Sequence, residues 1–553
     1  MQKAIPILLS LMLAVPALAL NDSGWVEIYA PAVAQTEEGM VGALSTIRIR
    51  VEPGGGHVFV DTFPLTQIDM QSSARMAASV ACSVSNKSLS DYDFFVVVRG
   101  EAQMIGGTSA GGAMTVAMVS ALNDLPLRKD VMMTGTISPD GSIGPVSGIP
   151  EKMEAAREAG AKVFLLPEGQ AEYSYTITNT TQIGPLVITS QRPAEMNLIE
   201  HGKSLGLTVK EVSNIREAVK EFTGVELKQP SAGSIDMSEY NQLMKEHAEG
   251  LEKEARASYA AAQSVSAPDD YLNESRNRLV DGINQLSQRR YYTAASSLFE
   301  SMIYSGYVTN YNKYRTDPEK GIEEIGNEIE RIESKIRNET EEYNIVYLQC
   351  FGAAEERIME AEENFEIAYN LLQNGSIADG IFALSYAAER ADSAEWWFDI
   401  AKKMHGGEEL SEEYVSSLAL SAMDTAEETS IYAQFSASSE LLSLLLQASD
   451  ELNRAKDAVN KSYTAGAVVL ASKALALSEL VIELGARGMS NESLNITKEN
   501  AKNAVARAQS SGINPILALA YLESAESYES TDIAQSLIDY KYAECIARMS
   551  GAP

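Results

Sequence analysis

Near residue 225 the chain changes character. Upstream, short runs rich in β-branched residues alternate with helical periodicities. From about Lys228 onward Gly and Pro thin out, and Ala, Glu, Leu and Ser dominate to the last residues. A sheet-forming pattern that gives way to a purely helical one predicts an α+β domain followed by an all-α region of hairpins and coiled-coil segments. At 553 residues with 45% hydrophobic content, the chain has room for two to four domains with sizeable cores.

The chemistry-bearing residues sit in the first part. Ser109 lies in Gly106-Gly107-Thr108-Ser109-Ala110-Gly111-Gly112, just ahead of an apolar helical run from Ala113 to Leu122. Lys152 follows 43 residues later, where Pro150 is placed to open a second helix. A serine hydroxyl is a poor nucleophile until a base takes its proton, and a lysine amine held neutral can do so. Burial and the positive end of a helix dipole both lower a lysine pKa toward that range. The backbone N–H groups of Ser109 and Ala110, at a helix start, are placed to hold an oxyanion. The four histidines (His57, His201, His247, His405) stand in no catalytic spacing, so the serine–lysine dyad is the nucleophilic arrangement the chain offers. Between the two residues, Val131 to Ile137 reads as one buried strand closed by a Pro139-Asp140-Gly141 turn.

These residues resemble the proteolytic domain of the Lon family of Ser/Lys peptidases. The resemblance runs through the serine motif, the block Leu125-Pro126-Leu127-Arg128-Lys129-Asp130-Val131-Met132-Met133-Thr134-Gly135, and Gly148-Ile149-Pro150-Glu151-Lys152. It continues through Glu154-Ala155-Ala156, Gly160 and Leu165-Leu166-Pro167-Glu168. Upstream, Thr46 to Val51, His57 to Val60 and Gln71 to Ala81 look like the family's leading strands and first helix. The resemblance implies Ser109 as nucleophile, Lys152 as general base, Thr134 as the residue positioning the lysine amine, and a polypeptide substrate. It also makes a homo-oligomeric ring an expectation. Two positions depart from it: Gly106 stands where many members carry an acidic residue, and Thr108 where proline is common. No Gly-x-x-x-x-Gly-Lys-Ser/Thr phosphate loop and no His-Glu-x-x-His or paired-cysteine site occurs in the sequence. The expectation is therefore an ATP-independent endopeptidase without cofactor or metal.

Lys3 followed by an apolar run from Ala4 to Leu20, with Ala17-Leu18-Ala19 as a small-x-small site, reads as an export signal over 1–19, or as an uncleaved anchor. Nine Asn-x-Ser/Thr sequons, among 25 asparagines, agree with export and glycosylation. They begin at Asn21, Asn86, Asn179, Asn273, Asn338, Asn374, Asn460, Asn491 and Asn495. A net charge of −33 argues against nucleic acid and anionic membranes as partners. Three scattered cysteines make no disulfide framework.

The domain reading is a signal peptide at 1–19, a Lon-like domain at 24–225, a helical region at 226–316, long coiled-coil-like helices at 317–373, and helical hairpin repeats at 374–553. Glu172 to Glu200 is an insertion of hairpin character. Asp317-Pro318 opens a helix whose Ile322, Ile325, Ile329, Ile332 and Ile336 form a seam extended by Tyr343, Val346 and Cys350. Tyr292, Ala378 and Thr464 begin similar small-residue helix openings 86 residues apart, which suggests stacked hairpins. Trp396-Trp397-Phe398 reads as core. The helical half is expected to recruit substrate, space the domain from the surface, assemble subunits or bind a protein partner. The competing reading is a catalytically weak Lon-like scaffold in a cell-surface interaction protein, and an intermediate one is self-cleavage near Lys228.

Overall fold

The structure is a computed structural model that describes residues 24–36, 39–66, 68–105, 108–183, 186–228, 233–265, 269–338, 343–404 and 409–550. The apolar N-terminal run, Gly106, Asn21 and His405 lie outside these residues. The chain divides into two compact units, one of residues 1–135 and 146–227, the other of residues 136–145 and 228–553.

In the first unit, strand β1 (Val26–Thr36) pairs antiparallel with β2 (Gly39–Pro53), and β2 with β4 (Tyr92–Ile105). The strand β3 (Val58–Thr66) joins β4 in parallel, giving the order β1-β2-β4-β3. Alternation sets the faces. Ile47 and Ile49 of β2, and Phe94, Val96 and Val98 of β4, point inward and are fully buried, each contributing about 1.5–3 kcal/mol. Helices α1 (Ile68–Ser85) and α2 (Gly111–Asn123) pack together, and α2 also lies on β1 and β2. A second sheet, of β5 (Val131–Met133), β8 (Val163–Pro167) and β11 (Thr208–Val212), is wholly parallel in the order β11-β8-β5. Phe164, Leu165 and Leu166 are buried in succession, as a strand covered on both faces requires. Helix α3 (Ile149–Glu158) precedes β8, and α4 (Leu198–Leu205) and α5 (Ile215–Thr223) flank β11. The insertion forms a two-stranded ribbon, β9 (Glu172–Ile183) antiparallel to β10 (Leu186–Asn197).

One expected strand is broken. Val131 to Ile137 does not run through: β5 ends at Met133, and Thr136–Ile137 (β6) pairs instead with Ile143–Gly144 (β7). The cause lies at the break. The Thr134 N–H donates to the Leu165 carbonyl, but the Gly135 N–H turns away to the Ser109 carbonyl, 3.0 Å off.

The second unit is helical apart from β6–β7 and the short pair β12 (Tyr343–Asn344) and β13 (Glu409–Leu410). Its helices are α6 (Ser238–Gln263), α7 (Asp269–Ser287), α8 (Tyr291–Tyr314), α9 (Pro318–Asn338), α10 (Ile345–Gln373), α11 (Ile377–Ala401), α12 (Glu412–Ser436), α13 (Leu442–Asn460), α14 (Thr464–Arg487), α15 (Asn491–Ser510), α16 (Ile516–Tyr528) and α17 (Ile533–Ser550). They group in triplets, each a helix followed by a packed hairpin. In each of α6–α8, α9–α11, α12–α14 and α15–α17, the third helix packs on both the first and the second. The three similar openings recognised in the sequence are the starts of α8, α11 and α14, the third helices of the first three triplets. Helix α14 is long and apolar enough to cross a membrane, yet 94% of its most apolar window is buried within its own unit.

The isoleucine seam is partly as expected. Ile325, Ile329, Ile332 and Ile336 are buried along α9, packed against α10 and α11. It does not extend through Tyr343, which sits in β12, because Asn344 restarts a helix. Its side chain accepts from the N–H groups of Val346 and Tyr347 and caps α10. Trp397 and Phe398 are fully buried core residues, and Cys82, Cys350 and Cys545 are free and buried.

Candidate active site

Ser109 lies in a single 3-10 turn, Thr108–Ala110, that leads directly into α2. The strand break pins this turn. The Gly135 N–H bonds the Ser109 carbonyl at 3.0 Å, and the Gly112 N–H bonds the Gly135 carbonyl at 3.0 Å. Gly112 is tightly seated: a Cβ there would stand 2.7 Å from the Met133 Cε, which would have to shift, and 3.3 Å from the Gly135 carbonyl oxygen. The Ser109 and Ala110 amides therefore lie at the positive end of α2, where negative charge is stabilised.

Lys152 is in the first turn of α3. Ile149 is the first helical residue and Pro150 the second, one position later than the sequence suggests. Spacing explains the burial: Ile149, Met153 and Ala156 enter one apolar cluster with Met132, Phe164 and Leu166, and carry Lys152 inward beside them. Lys152 is 3% exposed. Its ammonium donates to the Thr134 hydroxyl at 3.2 Å, and that hydroxyl donates over 3.4 Å to the Ser109 carbonyl. Thr134 is itself fully buried and links the serine turn to the lysine. Burial pushes the Lys152 pKa down to about 8, against the opposing pull of the neighbouring Glu151 carboxylate.

Two residues that sequence reasoning missed fix the start of α3. The Gln170 side chain bonds both backbone groups of Val146, accepting at 2.9 Å and donating at 2.9 Å. The Tyr173 hydroxyl, on the first strand of the insertion, accepts from the Gly148 N–H at 3.1 Å. No motif flags either residue, since each acts through backbone far off in sequence. Gly42 of β2 lets α3 approach, because a Cβ there would fall 2.2 Å from the Glu151 carbonyl oxygen.

A small cavity of about 20 Å³, room for a single water, lies beside the serine. Ser109 and Ala110 form one side, and Ala30, Ala32, Ile47 and Met70 contribute a small apolar wall. Of the described histidines, His57 is exposed at the start of β3, and burial pushes the His247 pKa, in α6, down to about 2. Among the described residues no three His, Cys, Asp or Glu side chains converge to hold a metal.

Ser109 at a helix start and the buried Lys152 amine thus share one threonine, an arrangement that can chemically serve as a nucleophile and its base. Residues 30–182 match the Lon protease (S16) C-terminal proteolytic domain. The chain is 49% identical over 80 residues to the Lon protease of Geobacter metallireducens, covering 14% of this chain and 10% of that protein. It is 31% identical over 201 residues to the Lon protease of Azorhizobium caulinodans, covering 35% and 23%. Similarity to the archaeal Lon protease of Pyrococcus abyssi is 40% over 80 residues, or 14% and 8%. The chain thus spans no more than about a quarter of the length of these relatives. The matches make residues 30–182 similar to a Lon-type proteolytic domain.

Proposed function

We propose that this protein is an exported, ATP-independent serine endopeptidase that cuts peptides and unfolded chains with a Ser109/Lys152 dyad. The buried Lys152 amine held on Thr134 beside the Ser109 turn carries this reading. With a pKa of about 8, roughly a quarter of the lysine is neutral at pH 7.5, against ~0.1% for an unperturbed lysine. The neutral amine takes the Ser109 hydroxyl proton as Oγ attacks the scissile carbonyl. The Ser109 and Ala110 amides then hold the oxyanion. The lysine passes its proton to the leaving amine, and water repeats the sequence on the acyl-serine.

The sequence supports ATP independence, since it holds no phosphate loop. Export draws support from the apolar N-terminal run and from the sequons. Asn86, Asn273, Asn338, Asn374, Asn460, Asn491 and Asn495 are all exposed, so glycans there meet no packed core. A polypeptide partner or substrate docking on the helical triplets, and a homo-oligomer, complete the proposal.

Hydrolysis of an unstructured peptide without ATP, by wild type beside Ser109→Ala, tests the catalytic reading, with cleavage by wild type alone expected. N-terminal sequencing and deglycosylation of the protein from its native host test export. A mature chain starting at Leu20 with a mass loss on deglycosylation is expected, and an intact Met1 with no glycan contradicts it.

A further inference from the structure

The segment joining the Thr134 strand to the Lys152 helix belongs to the helical unit. Residues 136–145 form the β6–β7 hairpin, closed by the Ser138 N–H to the Ser142 carbonyl at 3.0 Å. At its tip Asp140 accepts from the Ser142 N–H at 2.9 Å and from the Ser142 hydroxyl at 2.7 Å. Its other oxygen is ion-paired to Arg487 at the end of α14, 347 residues away in sequence. The Asp140 carboxylate is 2% exposed, and Arg487 holds it ionised against the cost of burial. Tyr432 of α12, 1% exposed, donates to the Ile137 carbonyl at 3.1 Å. Gly144 lies so close to α14 that a Cβ would stand 3.1 Å from the Ala486 Cβ.

The pair is one end of a buried ionic chain. Glu483 approaches Arg487 at 3.8 Å and bonds Lys541 of α17 at 2.6 Å. Lys541, itself unexposed, also meets Glu479 at 3.0 Å and Glu544 at 2.9 Å, and Arg548 closes on Glu479 at 2.6 Å. Four carboxyls face three cations, and Glu483 takes up the imbalance, its pKa pushed up by burial to about 8. Buried ion pairs add little net stability but fix geometry, and losing one partner is costly. Here the geometry fixed is that of the hairpin between two dyad residues. Hydrogen bonds hold its flanks, Thr134 and Gly135 to the serine turn, Val146 to Gln170, and Gly148 to Tyr173, and Val146 also packs on the apolar cluster of α3.

We propose that Asp140 and Arg487 are positioning residues for the Ser109/Lys152 dyad, so that the helical unit sets catalytic competence through the 136–145 hairpin. The proposal rests on the serine-peptidase reading for its effect on turnover, but not for its effect on Lys152. Releasing the hairpin loosens both flanks and admits water to the lysine amine. Among the described residues, only Glu151, on its own helix, acts on that amine as a charge.

The test uses the full chain with Arg487→Met, Arg487→Lys and the double variant Asp140→Asn/Arg487→Met. The double variant leaves no orphan charge at the pair, so it should melt close to wild type. The first readout is the pH dependence of Lys152 acylation by a small amine-directed reagent, quantified by mass spectrometry. The second is kcat and KM on an unstructured substrate against pH. In the double variant the Lys152 midpoint should rise from about 8, kcat should fall about tenfold, and KM should hold; Arg487→Lys should restore part of both. A folded double variant with the wild-type Lys152 midpoint overturns the proposal, as does a kcat loss that merely follows melting temperature. If wild type and Ser109→Ala are equally inactive, the peptidase reading fails, and the labelling midpoint still decides the positioning role.

Discussion

Replacing Thr134 with Val removes the hydroxyl that accepts from the Lys152 ammonium while keeping the side-chain shape. The bond is 3.2 Å long and buried, and it favours the charged lysine. A hydrogen bond to a charged group contributes about 1.5–3 kcal/mol, so its loss lowers the lysine pKa further, by about one to two units. The midpoint of kcat/KM against pH should therefore move from about 8 to about 6–7. At the same time the amine loses its guide to Ser109, and the plateau rate should fall about 10–100-fold. The signature is a ratio. Wild type at pH 6 should run at ~1% of its rate at pH 9, and Thr134→Val at roughly 10–50% of its own much lower plateau. Thr134→Ser keeps the hydroxyl and should stay near wild type. A steady-state assay on a quenched fluorescent peptide from pH 5.5 to 10 suffices. A midpoint that rises, or a plateau that does not fall, refutes the role assigned to Thr134.

Lys152→Met should abolish cleavage yet raise stability at neutral pH. The folded-state pKa lies below that of the unfolded chain, so the buried charge costs about 3 kcal/mol below pH 8, a cost that fades as pH rises toward 10.5. Wild-type stability should therefore climb over that window, and chemical denaturation at pH 7 and 10 should show the climb vanish in the variant. Gly112→Ala pushes a methyl against Met133 and Gly135 and should reduce kcat at least tenfold with KM little changed, read by the same peptide assay. In the helical unit, Gly352→Ala would set a Cβ 2.5 Å from the Ala465 carbonyl oxygen, where α10 and α14 touch. It should cost about 1–3 kcal/mol, visible as a lower melting temperature.

The placement of Ser109 before α2 and of Lys152 in the first turn of α3 was legible because those signals are local. A glycine-rich turn before an apolar helix, and a lysine two residues after Pro150, each carry their geometry in a few positions. Thr134 was legible through the block that contains it. The break after Met133 was not, because Val131 to Ile137, with Val, Thr and Ile spread along it, reads as one strand. What ends it is a hydrogen bond from Gly135 to a carbonyl 26 residues upstream. The same limit hid Gln170, Tyr173 and Arg487, whose partners are distant in sequence. In the helical half the 86-residue spacing marked three helix starts correctly. The count of helices per repeat was misread because α6, α9 and α12 carry no matching openings. Asn344 shows how a single cap redirects a chain that hydrophobic spacing alone would continue.

The most direct test is hydrolysis of unstructured casein, without ATP, by the full-length protein beside Ser109→Ala and Lys152→Ala. Cleavage by wild type, with both variants folded and silent, is the predicted result. Cleavage that survives in Ser109→Ala, or equal inactivity of all three across a broad peptide library, contradicts the account.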